Sequence, residues 1–172
     1  MSIVKEGYIF ILGFLVAGIA CSFIFAPLSV VFYLTAIFCL FFFRDPHLTI
    51  NRDDNFILSP CNGTVLDVIE NENGQSEIRV FMSVFNVHLQ RSPISGKVVS
   101  VEHKPGKFLK AHLPEAHVEN EQNLITIENE TGKYVVKQIA GILARRCVAW
   151  VKPGDVLEQG DKIGVIKFSS QV

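Results

Sequence analysis

Residues able to do chemistry cluster in a few short stretches of this sequence. Ser169 and Ser170 are adjacent hydroxyls behind the apolar run Gly164-Val-Ile-Lys-Phe168, with Gln171 and Val172 after them. Taken alone, such a pair reads as a frayed tail, because chain termini are usually poorly ordered. His88 lies in Phe85-Asn-Val-His-Leu-Gln-Arg-Ser-Pro93, an alternating strand that enters a turn, with Asn86 and Arg91 close by. A histidine here is either a satisfied structural residue or a proton carrier, since its charge changes near neutral pH. The other four of the five histidines, His47, His103, His112 and His117, sit in polar, loop-like surroundings and are expected to face solvent. The spacing of His112 and His117 fits neither one helical face nor alternate strand positions. No carboxylate cluster completes a site around them, so no metal is expected. Ser59-Pro-Cys-Asn-Gly-Thr-Val65 reads as a turn through Asn62-Gly63. Pro105–Phe108 and Glu119–Asn123 read as polar loops.

These residues need elements to hold them. A chain of 172 residues allows one domain with a sizeable core plus an appendage. The net charge of −1 and the lack of a long basic run give no argument for a nucleic-acid partner, and none is expected. Mean hydropathy is positive, but the apolar excess sits almost entirely in residues 1–43. The four cysteines show no Cys-x-x-Cys spacing, which argues against a disulfide framework or zinc and for a reducing compartment.

Tyr8–Phe25 and Leu28–Phe43 are uncharged apolar runs separated by Ala26-Pro27. A second apolar run directly after the first is wrong for a cleaved signal peptide. Together the two are too long for one span of a ~30 Å hydrocarbon core. The sequence predicts a helical hairpin broken at Pro27, either spanning or re-entrant, with both ends on one side. Lys5, Arg44 and Arg52 flank it while its turn is uncharged, which predicts a main domain facing the cytoplasm from the cell (inner) membrane.

Beyond residue 56 the sequence predicts short strands at Ile57–Leu58, Thr64–Ile69, Ile78–Met82, Lys97–Glu102, Asn123–Glu128, Tyr134–Ile139 and Gly164–Phe168. Turn pairs such as Ser95-Gly96, Thr131-Gly132 and Pro153-Gly154 separate them. Val148–Val151 reads either as a strand or as part of a helical turn around Ala144–Arg146. The expected fold is mainly β: a small antiparallel β-sandwich or barrel, residues 44–172, preceded by the two-helix membrane hairpin, residues 1–43. The closing pattern Val151-x-Pro-Gly-Asp-x-Leu-x-x-Gly-Asp161 is similar to that of biotinyl and lipoyl carrier domains, which would make Lys162 an attachment site.

In order, Phe42-Phe-Arg-Asp-Pro46, Ser59-Pro-Cys-Asn-Gly63, Phe85–Pro93, Pro105–Phe108, Asn120-Glu-Gln-Asn123, Gln138–Arg146 and Ile166-Lys-Phe-Ser-Ser170 resemble the motifs of the short, membrane-anchored phosphatidylserine decarboxylases. The resemblance covers essentially the whole chain. It implies a self-cleaving proenzyme whose cofactor is a covalent pyruvoyl group derived from Ser170. The Ser170 hydroxyl attacks the carbonyl of Ser169, the ester eliminates, and hydrolysis leaves the pyruvoyl cap and ammonia. Decarboxylating an amino acid leaves a carbanion, and this group is its electron sink. Carried over by position, His88 is the acid–base residue, Arg91 holds a carboxylate or phosphate, and Asn86 joins it in binding substrate. The implied reaction is phosphatidylserine to phosphatidylethanolamine, with archaetidylserine as a variant substrate. A homo-oligomer and a separate C-terminal fragment are left open as partners beside the phospholipid and the membrane.

Three departures stand out. Asn62 occupies the family's aspartate position and cannot stabilise a histidinium as a carboxylate does. Ser169 replaces glycine, which changes the acyl donor and not the nucleophile. Family members continue past the serine for further strands, so the chain is expected to be C-terminally truncated, with no strand to anchor a group at residue 170. A non-catalytic, lipid-binding member is the alternative reading.

Overall fold

The computed structural model describes residues 2–70, 74–110, 113, 115–142, 146–167 and 170–172, with Ser170 as backbone only. The chain forms two compact units, Met1–Thr49 and Ile50–Val172.

The first unit is a helical hairpin. Helix α1 (Lys5–Ser22) and helix α2 (Ala26–Phe42) are apolar on nearly every face, with Ile9, Val16, Ile19, Val31, Leu34 and Ile37 all exposed. A helix apolar all round is stable when hydrocarbon surrounds it. α1 has the length and hydropathy to cross a membrane; α2 is apolar and one residue shorter, 17 against 18. At 1.5 Å per residue both reach roughly 25–27 Å, close to a hydrocarbon core. The chain turns at Phe23–Phe25 and not at Pro27. Pro27 sits in the first turn of α2, where a missing backbone N–H costs nothing. Gly7 and Gly18 let the helices close, since a Cβ there would lie 2.5 Å from the Phe43 side chain and 2.8 Å from the Tyr33 ring. The open ends are tied by a short pair, β1 (Ser2–Ile3) with β2 (Arg44–Asp45), and by the Val4 N–H donating to the Phe43 carbonyl at 2.9 Å. Both ends of the hairpin therefore leave on the same side.

The second unit is a two-sheet antiparallel sandwich, curled into a half-barrel. Strands β3 (Thr64–Glu70), β4 (Ser76–Met82), β6 (Gly96–Lys104), β7 (Gln122–Asn129), β8 (Gly132–Ile139), β10 (Val156–Leu157) and β12 (Ser170–Gln171) make one sheet, in the order β10-β6-β7-β8-β12-β4-β3. Strands β5 (Leu89–Arg91), β11 (Lys162–Ile166) and β9 (Cys147–Ala149) make the other, with β11 central. The core fills the space between them: Met82, Val98, Ile125, Ile127 and Val136 from the large sheet meet Ile163 and Ile166 from the small one. Alternation explains the inward set, as at Ile125 and Ile127, because strand side chains point to opposite faces in turn.

The mainly β architecture with an N-terminal helix pair agrees with the sequence reading. Ile57–Leu58 is loop. The four-residue helix α3 (Ala116–Glu119), β10 and β12 had no sequence signal. Residues 170–172 are not a frayed tail. Ser170 pairs with Met82, Gln171 lies between Phe81 and Ile139, and the Val172 and Val80 backbones exchange hydrogen bonds of 2.8 and 3.0 Å. Lys162 opens β11 in register with Arg91 rather than capping a protruding tip, so the carrier geometry is absent.

Candidate functional site

The site is built where β4 ends. After Met82 the chain makes a tight turn, Ser83–Asn86, closed by the Asn86 N–H on the Ser83 carbonyl at 2.9 Å. The Asn86 side chain locks it: Oδ1 accepts from both the Ser83 N–H and its Oγ, each at 2.8 Å. Its Nδ2 then donates to Asn62 Oδ1 at 2.7 Å. Asn62 is presented by the loop before β3, which is pinned by the Arg91 N–H on the Pro60 carbonyl at 2.8 Å. Gly63 is needed there, because a Cβ would stand 2.3 Å from the Phe81 carbonyl oxygen.

His88 follows the turn and is 1% exposed. Its Nδ1 lies 3.1 Å from the Asn86 carbonyl, which can only accept. Nδ1 therefore carries the hydrogen, and Nε2 is the basic nitrogen. The His88 carbonyl accepts from the Ile166 N–H at 3.2 Å, joining this segment to the end of β11. From there the chain crosses to the large sheet, where the Ser170 backbone pairs with Met82. The fold thus gathers Asn62, Asn86, His88 and the backbone of residue 170 around the end of β4. Ser169, like His112, Ala144 and Arg145, lies outside the described residues.

Arg91 is held elsewhere along β5, with its Nη1 donating to the Gly160 carbonyl at 2.9 Å. Asn62 meets Asn86, whose carbonyl in turn meets His88. Asn62 Oδ1 accepts this amide N–H as an aspartate oxygen could, but without the carboxylate's charge. Cys61, beside Asn62, is no candidate nucleophile: burial pushes its thiol up to about 12 despite a hydrogen bond from Ser59. His47 and His103 face solvent, whereas His117 is half-buried in α3 and its Nδ1 accepts from Arg79 at 2.9 Å. No group of three metal-ligating side chains occurs among the described residues.

Sequence reasoning missed a set of buried amides behind His88. Gln90, Gln138 and Asn123 are 0%, 0% and 6% exposed. In the sequence they look like ordinary polar positions of half-exposed strands. The one available signal was that all three stand inside the motif stretches Phe85–Pro93, Gln138–Arg146 and Asn120–Asn123.

A covalent carbonyl group at residue 170 fits these surroundings. The Ser170 backbone pairs with Met82, its neighbour Gln171 is held between Phe81 and Ile139, and the adjoining segment holds the buried imidazole of His88. The sequence model of the phosphatidylserine decarboxylase family matches residues 35–172. A phosphatidylserine decarboxylase proenzyme from Beijerinckia indica subsp. indica is 39% identical over 176 residues, covering 97% of this chain and 76% of that protein.

Proposed function

The chain belongs to the phosphatidylserine decarboxylase family, and on that premise we propose that it is made as a proenzyme, cleaves itself between Ser169 and Ser170, and decarboxylates phosphatidylserine to phosphatidylethanolamine. The observation that carries this reading is the pairing of the Ser170 backbone with Met82, at the strand end from which the His88 segment departs. In the first step the Ser170 hydroxyl adds to the Ser169 carbonyl carbon and the peptide C–N bond breaks. The acyl group passes to oxygen, and β-elimination releases residues 1–169 as a carboxylate. Loss of ammonia on hydrolysis then leaves a pyruvoyl group at position 170. That group supplies the electron sink for the carbanion formed when carbon dioxide leaves.

The protein's own residues do the rest. His88 Nε2 takes a proton from, or returns one to, the reacting centre. Asn86 fixes the His88 ring through its carbonyl, and Asn62 fixes Asn86. By the family pattern Asn86 and Arg91 would serve the anionic head group; of the two, Asn86 stands at the site, while Arg91 is tied to the Gly160 carbonyl along β5. Residues 1–43 anchor residues 44–172 at the lipid surface. The flanking cations Lys5, Arg44 and Arg52 favour the cytoplasmic face of the inner membrane for the catalytic part.

The test is the intact mass of the purified chain with and without a hydrazine-type carbonyl trap, beside Ser170→Ala. The reading expects a fragment ending at Ser169, a trapped ketone on the downstream fragment, and conversion of phosphatidylserine vesicles, all lost in Ser170→Ala. A full-length mass without adduct or turnover would overturn it and leave a non-catalytic lipid-binding protein.

A further inference from the structure

The buried amides behind His88 form a single directed chain. Asn123 Nδ2 donates to Gln138 Oε1 at 3.1 Å, Gln138 Nε2 donates to Gln90 Oε1 at 2.9 Å, and Gln90 Nε2 donates to the His88 carbonyl at 2.9 Å. None of the three can be reversed, because each NH₂ group also faces, or ends on, a backbone carbonyl. These carbonyls are Cys147 at 3.1 Å for Asn123, Val148 at 3.3 Å for Gln138 and His88 itself for Gln90. The outer end is fixed likewise: Asn123 Oδ1 is left to accept from Nδ1 of His103 on the surface at 2.9 Å. Every dipole therefore points toward His88, and aligned hydrogen bonds of this kind polarise one another in a low-dielectric interior.

Stability does not require this arrangement. A sandwich core filled by Leu, Ile and Val would satisfy the same volume without desolvating three amides. What the chain adds is position. It crosses from β7 and β8 in the large sheet to β5 in the small one, and it ends on the one backbone carbonyl that also takes the Ile166 N–H. Its last member is in reach of Met82, with Gln90 Nε2 at 4.0 Å from the sulfur, and Met82 is the register partner of Ser170.

We propose that Gln90, backed by Gln138 and Asn123, is a positioning residue that holds the His88 segment against residue 170. The inference rests on the reading of His88 as the acid–base residue. Two variants test it in the full chain in detergent micelles. Gln90→Met keeps the length and shape but cannot donate. Gln90→Glu can donate only while its carboxyl is protonated, which burial extends to higher pH. The expected result for folded Gln90→Met is a fall in kcat of about 10- to 100-fold, the scale of an ångström-sized misplacement, with KM little changed. Gln90→Glu should approach wild-type kcat as pH falls and lose it as pH rises, a profile that a purely structural residue would not produce. Wild-type kcat in folded Gln90→Met, or a Gln90→Glu profile that follows the wild type, would overturn the proposal. His88→Ala separates the two readings: if it stays active the acid–base role itself fails, and if it is dead while Gln90→Met is fully active only the positioning role fails.

Discussion

Gly164→Ala puts the closeness of the two sheets to a quantitative test. Gly164 lies in β11, between Gln90 on β5 and Ala149 on β9. A Cβ there would stand 2.3 Å from the Val148 carbonyl oxygen and 2.4 Å from Gln138 Nε2. Both would have to retreat by roughly 1 Å to reach ordinary contact, and neither is the loose end of a side chain in solvent. Val148 is backbone held in register by Val165, and Gln138 is wedged between two acceptors. Overpacking of this kind costs about 1–3 kcal/mol, and losing the Gln138–Val148 hydrogen bond adds about 1 kcal/mol. The sum, about 2–4 kcal/mol, lowers Tm by on the order of 10 °C for a chain of this size. Thermal unfolding followed by circular dichroism in micelles measures it, with Gly13→Ala as the control, since nothing lies within 4 Å of a Cβ there. A Gly164→Ala Tm within 2 °C of wild type, on that ~10 °C expectation, would refute the reasoning that a rigid approach makes glycine necessary.

Other outcomes follow from separate parts of the structure. Burial pushes the Cys147 thiol up to about 12, as it does Cys61. At pH 8 both therefore hold about a thousandfold less thiolate than an ordinary cysteine, and iodoacetamide labelling read by peptide mass should be slow at both until the protein is unfolded. Asn120 is fully buried; its Nδ2 donates to the Leu109 and Ala140 carbonyls and its Oδ1 accepts from the Leu109 N–H. Asn120→Ala should cost about 2–3 kcal/mol in urea unfolding, and a loss under ~0.5 kcal/mol, the range of ordinary surface changes, would count against that network. Val16 and Val30 are exposed on the hairpin, and replacing both by Arg adds about 5–7 kcal/mol to the cost of insertion. That variant should move from the carbonate-resistant membrane pellet to the supernatant, and unchanged pelleting would contradict insertion.

Much of this fold was legible because its patterns are local. Long apolar runs flanked by charge announce the hairpin, and alternation between Gly turns announces β3, β4, β6, β7, β8 and β11. The two-residue strands β10 and β12 were not legible, since two residues carry no period and pair only because a neighbour's edge is vacant. Ile57–Leu58 failed for the converse reason: an apolar pair without a partner edge stays loop. At the site, the Asn-Gly turn and the alternating His88 segment could be read. Their link through Asn86 could not, because it depends on a turn closing across two loops. The amides Gln90, Gln138 and Asn123 were hidden more deeply, as composition treats a buried amide and a solvated one alike.

The place of β12 between β8 and β4 has a consequence in time. Ribosomes deliver a chain from its N-terminus, so β3–β4 and β6–β7–β8 emerge as two separate edges while the strand that joins them is still unmade. Ser170 meets Met82 across a long stretch of sequence, and such distant pairings form slowly. The sheet around residue 170 can therefore close only once both of those edges have been made.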